Sequence, residues 1–309
     1  MAGVAEFPRP LAFVLSGGGA IGSAQVGHLL VLRELGIIPD VIVGTSVGAI
    51  NGAVIAADPA DGATQLFDIW AAVRREDVFP LPPWHLLSSL RRGITGVLPV
   101  GGLVSLVTGN LGVTNLEQLA IPLHVIATNA VSGELVDLAE GGLVDALLAS
   151  SAVPGLFPPH SVGGLTLMDG GLVANVPVEH AMDLGARSAM VMDAAWPCTL
   201  TRPPETVIES IAVALRLLTR SQADAHMLAA EQRGLVVHLP TPCTVRGSPL
   251  DFSGVVEVIE ATVELTQEFF DDRAGMPWPE FGAVGLPHRH PAPHAYEVSP
   301  EYPVHVQEV

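Results

Sequence analysis

The stretch VIVGTSVGAINGAVIAA, residues 41–57, begins as a run of apolar β-branched residues and ends in small residues compatible with a helix. Between them lies the pattern Gly-x-Ser-x-Gly, formed by Gly44, Ser46 and Gly48. This order predicts a buried strand that turns sharply into a helix, with the serine at the corner. Glycines suit both flanking positions because a side chain there would collide with the strand or the helix. Ser46 is therefore a candidate nucleophile at the positive end of a helix dipole; a capping serine in a glycine-rich junction is the alternative.

A second glycine-rich segment precedes this one. The apolar run LAFVL, residues 11–15, is followed by SGGGAIG and then by apolar residues at helical spacing. Successive amides at a helix N-terminus can bind a phosphate or stabilise an oxyanion. The segment also satisfies the Gly-x-Gly-x-x-Gly pattern of dinucleotide sites, but that motif requires an acidic residue at the end of the second strand. Since Ser46 stands there and Asp40 precedes the strand, a dinucleotide site is disfavoured.

The β-α-β-α opening predicts an α/β domain with a mostly parallel sheet and helices on both faces. We expect one domain over residues 11–272, after a lead-in at 1–10 and before a Pro- and His-rich tail at 273–309. Residues 79–112 are apolar and interrupted by Pro and Gly, which suggests a cap for acyl-chain or membrane contact, or ordinary core packing. In the tail, HRHPAPH at 288–294 has histidines that could bind a metal adventitiously, but the composition favours a loosely ordered segment.

Composition excludes several classes of protein. The net charge is −18, all 14 basic residues are arginine, and 49% of residues are hydrophobic. No basic run exists, which disfavours a nucleic-acid partner and electrostatic attraction to anionic lipids. Cys198 and Cys243 are too far apart to suggest a metal site. The N-terminus lacks a signal-peptide pattern, so we expect a cytoplasmic protein, free or peripherally bound to a membrane. Oligomeric state is left open.

A nucleophilic serine needs a base, and the sequence offers more than one. A Ser–His–Asp triad could use Asp169 with His180, or Asp145 with His160. Alternatively Asp169, which ends an apolar strand before Gly170 and Gly171, could accept the proton itself if burial raised its pKa. A type I′ turn is the structural alternative for Asp-Gly-Gly. His28, on an apolar helical face, and His124, at a strand start, are predicted to be structural.

Three blocks together resemble the patatin-like phospholipases. They are SGGGAIGSAQVG at 16–27, VGTSVGAINGA at 43–53, and SSAVPGLFPP at 150–159 followed by LMDGGLVANVPV at 167–178. The resemblance implies a three-layer α/β/α fold and hydrolysis of lipid acyl esters, of phospholipase A or lysophospholipase type, without metal or cofactor. It assigns Ser46 as nucleophile, Asp169 as general base, and the loop containing Gly17, Gly18, Gly19 and Gly22 as the oxyanion and substrate-binding loop.

Ile21 departs from the family pattern. It occupies the position, just before the last glycine of the loop, where the family usually has arginine or lysine. The loss of that cation affects either the preference for a phosphate-bearing substrate or the ordering of the loop, and it makes a neutral ester or lysolipid a better candidate substrate here than for a typical member of the family. It also suggests a second alternative, a weakly active lipid-binding or regulatory protein.

Overall fold

A computed structural model describes residues 6–78, 102, 109, 111–194, 203–205, 207–242, 251–285 and 288–289. The chain opens with two strand–helix units: β1 (Leu11–Leu15) leads through a 3₁₀ turn to α1 (Ser23–Glu34), and β2 (Val41–Thr45) leads to α2 (Val47–Ala57). Both units confirm the interpretation of the two glycine-rich segments as strand-to-helix turns. The further helices are α3 (Gly62–Ala72), α4 (Arg75–Val78), α5 (Leu143–Ser150), α6 (Gly171–Ala174), α7 (Val178–Asp183), α8 (Val207–Glu231) and α9 (Val255–Asp272).

Within the described ranges, the main sheet has nine strands, most of them parallel. The remaining seven are β3 (Leu123–Asn129), β4 (Leu135–Leu138), β5 (His160–Val162), β6 (Leu165–Asp169), β7 (Ser188–Met192), β8 (Leu235–His238) and β10 (Gly282–Val284). Their order is β10-β8-β7-β1-β2-β3-β6-β5, with β4 also paired to β3. A separate short pair joins β9 (Thr241–Pro242) to β11 (His288–Arg289). The α/β fold class is thus confirmed.

Strand β3 is central to the site because two strands meet end to end along one of its edges. Its first half pairs in parallel with β2, up to Thr45 opposite Ile126. Its second half pairs antiparallel with β6, down to Asp169 opposite Ala127. Since β4 occupies the other edge, the carboxyl ends of β2 and β6 face each other. This register brings the residue after Thr45 next to Asp169.

Apolar side chains cover both faces of the sheet. One large cluster packs α1, α2, α3 and α9 against one face, and a second packs α6, α7 and α8 against the other. Strands β1 and β7 are buried along their whole length, as a parallel sheet covered on both faces requires. The result is a three-layer α/β/α arrangement.

Residues 273–285 correct one expectation of the sequence analysis, which placed them in a loosely ordered tail. Strand β10 extends the main sheet by pairing with β8, and the Trp278 ring lies 4.5 Å from that of Phe7. Trp278 also packs against the main apolar cluster. The sequence analysis missed this packing because a short edge strand and a single packed tryptophan, in a segment rich in Pro and Gly, produce no clear hydrophobic periodicity.

Two further expectations fall almost wholly outside the described residues. Of the apolar segment 79–112, only residues 102, 109, 111 and 112 are described, and the described tail stops at residue 289. Among the helices that the structure describes, none combines the length and apolarity needed to cross a bilayer.

Candidate active site

Ser46 occupies the sharp turn between β2 and α2. Its backbone has φ 53° and ψ −123°, and it is the only described residue other than glycine with a positive φ. Such a conformation costs about 1–3 kcal/mol and persists only where surrounding packing enforces it. Ser46 is 9% exposed, so it is almost fully buried but still accessible.

The flanking glycines are explained by close packing. A Cβ atom on Gly44 would lie 2.7 Å from the backbone nitrogen of Ala49, and one on Gly48 would overlap the carbonyl of Leu15. A Cβ on Gly22 would lie 2.6 Å from the Val47 side chain. The steric prediction for Gly44 and Gly48 is confirmed, because only glycine lets the turn pack this tightly.

Asp169 ends β6 beside Ser46 and is 7% exposed. Its Oδ1 accepts a hydrogen bond of 2.7 Å from the Gly171 N–H, whereas its Oδ2 is buried without a hydrogen-bond partner among the described residues. Burial raises the pKa of Asp169 to about 6, although the Gly171 amide and the nearby Ser46 side chain both act to lower it. Ser46 is thus close enough to affect this carboxyl, but no hydrogen bond of good geometry joins them.

The Asp-Gly-Gly segment does not form a type I′ turn. Gly170 has φ −64° and ψ −21°, and α6 begins at Gly171. A Cβ on Gly170 would overlap the Ile126 carbonyl, and one on Gly171 would lie 2.8 Å from Asp169 Oδ1. Gly171 therefore leaves room for the carboxyl, and Gly170 allows the chain to pass close to the backbone of β3.

The glycine-rich loop lies against the same corner. A Cβ on Gly17 would be 3.4 Å from Ser46 Cβ, so the loop backbone passes directly over the serine. The Gly17 N–H donates to the Asn175 carbonyl at 3.1 Å. In the described part of the chain, no hydrogen bond uses the N–H groups of Gly18 and Gly19. These two amides therefore have no hydrogen-bond partner among the described residues.

Ile21 belongs to the ordered part of this loop. Its N–H donates to the Gly18 carbonyl at 3.3 Å, and its side chain is 5% exposed. The loop conformation is further fixed by Gln25, whose amide nitrogen donates to the Ser16 carbonyl at 2.9 Å. An apolar side chain at residue 21 is therefore compatible with an ordered loop.

Two polar side chains support the site without having been assigned a role from the sequence. Ser150 accepts the Ser46 N–H at 2.8 Å and donates its own hydroxyl to the Ile126 carbonyl at 2.6 Å. The side-chain amide of Asn175 donates to the Gly17 carbonyl at 3.5 Å, in addition to the backbone bond described above. Both lie in the sequence blocks that contain Asp169, but a serine or asparagine that bonds backbone has no distinctive pattern of its own.

The histidines proposed for a triad lie elsewhere. His160 contacts Asp145 at 2.9 Å, and His180 contacts Asp137, not Asp169, also at 2.9 Å. Within the described residues no histidine hydrogen-bonds to Ser46 or Asp169. His28 is fully buried against the Pro240 carbonyl, and burial lowers its pKa to about 4, in keeping with a structural histidine.

A small apolar cleft, partly open to solvent, begins next to the nucleophile turn. It lies between α2 and α3, and Val47, the residue after Ser46, is part of its wall. Its other lining residues are almost all apolar: Ile50, Asn51, Val54, Leu66, Ile69, Trp70, Val73, Val78 and Phe252.

A tight serine turn, a buried carboxyl and a glycine-rich loop meet at the carboxyl ends of neighbouring strands. Together they define a hydrolase-like α/β site. Residues 13–182 match the patatin-like phospholipase family, and the chain belongs to that family.

Individual relatives agree with this assignment. An uncharacterized NTE family protein of Mycobacterium tuberculosis is 35% identical over 173 residues, which are 55% of this chain and 45% of the relative. Rat patatin-like phospholipase domain-containing protein 7 is 33% identical over 186 residues, 59% of this chain and 13% of the relative. The chain thus spans less than half the length of these relatives.

Solved structures with a similar arrangement include VipD from Legionella pneumophila, with a TM-score of 0.46 and 17% identity over 86% of this chain and 67% of the other. Human GIVD cytosolic phospholipase A2, in complex with methyl γ-linolenyl fluorophosphonate, has a TM-score of 0.42 and 14% identity over 85% of this chain and 58% of the other.

Proposed function

We propose that the protein is a serine hydrolase that cleaves carboxylic esters of lipids, using Ser46 and Asp169 as a dyad. The observation that carries this proposal is the meeting of a strained serine and a buried carboxyl at the facing ends of β2 and β6. Strain at a single non-glycine residue, beside a carboxyl whose pKa is raised to about 6, is typical of a reactive site.

In the proposed reaction, Asp169 Oδ2 accepts the Ser46 hydroxyl proton while the serine oxygen attacks the ester carbonyl. The C–O bond to the leaving alcohol then breaks, and the alcohol takes the proton from Asp169. Water attacks the acyl-serine with Asp169 again as base, which releases the fatty acid and restores Ser46. The unpartnered Oδ2 and the pKa near 6 suit a carboxyl that is ionised at neutral pH and able to take a proton.

We assign the oxyanion to the Gly18 and Gly19 amides, since both are free among the described residues. The Gly17 amide bonds Asn175 instead, so we infer that Gly17 holds the loop in place. The role predicted for the Gly22 amide stays a prediction; its lack of a side chain allows the loop to pack on Val47. Losing one such donor costs about 10²–10³ in rate.

We further propose that the apolar cleft between α2 and α3 receives the acyl chain. Its wall starts at Val47, so a chain esterified at Ser46 could enter it directly. The cleft is apolar, the nearby donors are neutral backbone amides, and Ile21 stands in place of a cation. These features support recognition of the substrate through its acyl chain and not through a charged head group.

Labelling by a fluorophosphonate probe tests the dyad, comparing wild type with Ser46→Ala and Asp169→Asn. We expect the wild type to be labelled and both variants to lose labelling while remaining folded. Labelling abolished by His160→Ala or His180→Ala would instead support the Ser–His–Asp alternative. An unlabelled but well-folded wild type, with lipid binding retained, would favour the lipid-binding alternative raised by Ile21.

A further inference from the structure

Two histidines and an aspartate converge on one oxygen atom away from the proposed active site. His124 Nδ1 lies 2.7 Å, and His180 Nε2 2.9 Å, from Asp137 Oδ2. These three ligand atoms lie within 4.8 Å of one another. They come from β3, β4 and α7, so the cluster joins two strands to a helix packed on the sheet.

The cluster is sheltered but reachable from solvent. The side chains are 18% exposed for each histidine and 24% for the aspartate. The two imidazole rings are 6.3 Å apart between centroids and inclined at 64°, so they approach the carboxylate from different directions. Ligand groups that approach one point from different directions suit the tetrahedral coordination of a metal ion, whereas parallel stacked rings would not.

The carboxylate of Asp137 is only partly satisfied. Oδ2 accepts from both histidines, whereas Oδ1 is buried and has no hydrogen-bond partner among the described residues. A buried oxygen without a hydrogen-bond partner is unfavourable, and Oδ1 has an electron pair still unused.

We propose that His124, Asp137 and His180 form a site for a divalent transition-metal ion of the Zn²⁺ type. Zn²⁺ binds histidine nitrogen and carboxylate oxygen at about 2.0–2.2 Å in tetrahedral geometry, which places neighbouring ligand atoms about 3.3 Å apart. The contacts of 2.7 and 2.9 Å would need to open by only about 0.5 Å, a displacement available to side-chain rotation.

Neutral imidazoles and one carboxylate favour Zn²⁺ over Ca²⁺ or Mg²⁺, which prefer oxygen ligands. Three protein ligands leave a fourth position for water. Because the ligands lie on three elements, we expect the ion to join α7 to the β3–β4 pair. This site shares no residue with the proposed dyad. His124 lies opposite Val43 on β2, before the turn that carries Ser46.

Metal binding by the full chain tests the site. The protein is used without an affinity tag, treated with chelator, and carries His288→Ala, His290→Ala, His294→Ala and His305→Ala so that no histidine of the tail can supply a ligand. Zn²⁺ is titrated by calorimetry and Co²⁺ by its visible absorption, which reports tetrahedral coordination. We expect one equivalent of each ion per chain and a higher Tm in the presence of Zn²⁺.

Removing one ligand separates this site from adventitious binding. His180→Ala is expected to weaken Zn²⁺ binding at least tenfold, because even outer-shell changes cost about 10–100-fold. His160→Ala is the matched control, since it removes a histidine from an exposed two-residue pair with Asp145 and should leave affinity unchanged. Asp137→Asn gives the same readout if His180→Ala does not fold. Absence of stoichiometric binding, or binding that survives both ligand variants, would overturn the proposal.

Discussion

Two aspartates on opposite edges of β3 have opposite electrostatic properties. Asp169 lies opposite Ala127 on one edge, and Asp137 lies opposite Ile126 on the other. Burial raises the pKa of Asp169 to about 6, whereas the histidines beside Asp137 lower its pKa to about 2. The same strand therefore supports one carboxyl suited to accept a proton and another suited to remain an anion.

The difference arises from the partners that each environment provides. Asp169 has one amide donor and is buried, so desolvation dominates. Asp137 is also partly desolvated, but two histidine nitrogens more than offset that cost. The strand register fixes where each carboxyl lies, whereas the neighbouring hydrogen-bond donors determine its pKa.

Asp169→Asn gives the largest expected effect. The amide keeps the shape and can still accept the Gly171 N–H, but it cannot take a proton from Ser46. We expect ester hydrolysis and probe labelling to fall by about 10⁴-fold. Rates of hydrolysis of a soluble short-chain ester measure this loss. Asp145→Asn, which alters an exposed carboxylate paired with His160, should retain wild-type activity; equal losses in the two variants would contradict a special role for Asp169.

The pH dependence of labelling is the next effect in size. If ionised Asp169 is the base, the labelling rate of the wild type should fall about tenfold for each pH unit below about 6 and level off above it. Rates measured from pH 4.5 to 8 determine the midpoint. A midpoint near 4 would mean that burial does not perturb this carboxyl. A midpoint that disappears in a histidine variant would identify that histidine as the titrating group.

Local sequence patterns were sufficient to predict the turn at Ser46. β-Branched residues, two glycines and small helical residues all act within one short segment, so their steric requirements are visible in the chain itself. The residues alone offered Asp169 as one of several candidate bases, and its assignment to Ser46 came from the family resemblance. Their meeting depends on the register of two distant strands on β3.

The Asp137 cluster was not predicted for the same reason. His124 and His180 were separately interpreted as a structural residue and a triad candidate, and Asp137 was not singled out. Their convergence requires a β3–β4 pair and a helix from a later part of the chain. No sequence spacing encodes such a contact, whereas a metal motif on one helix or loop would have been visible.

The difference in stability between Asp169→Asn and wild type should change with pH, whereas the loss of a contact alone would give a constant difference. The folded pKa of Asp169 is raised above the unfolded value, so the contribution of this carboxyl to wild-type stability is greatest below about pH 4 and is lost as pH rises through about 6. Asparagine does not ionise. We expect the variant to gain about 2–3 kcal/mol relative to wild type between pH 4 and 7.5. Urea denaturation at both pH values measures the change; a pH-independent difference would contradict a raised pKa.

Asp137→Asn should have the smallest effect, of opposite sign, in chelator-treated protein. The wild-type carboxylate has a lowered pKa, so it stabilises the fold above about pH 4, and this contribution decreases as pH falls towards 2. With the side chain 24% exposed, we expect the variant to be about 1 kcal/mol less stable at pH 7. Asp145→Asn, which breaks a more exposed Asp–His pair, should change stability by less than about 0.5 kcal/mol. Urea denaturation of the two variants side by side measures both effects, and equal values would mean that convergence of two histidines on Asp137 adds nothing beyond an ordinary surface pair.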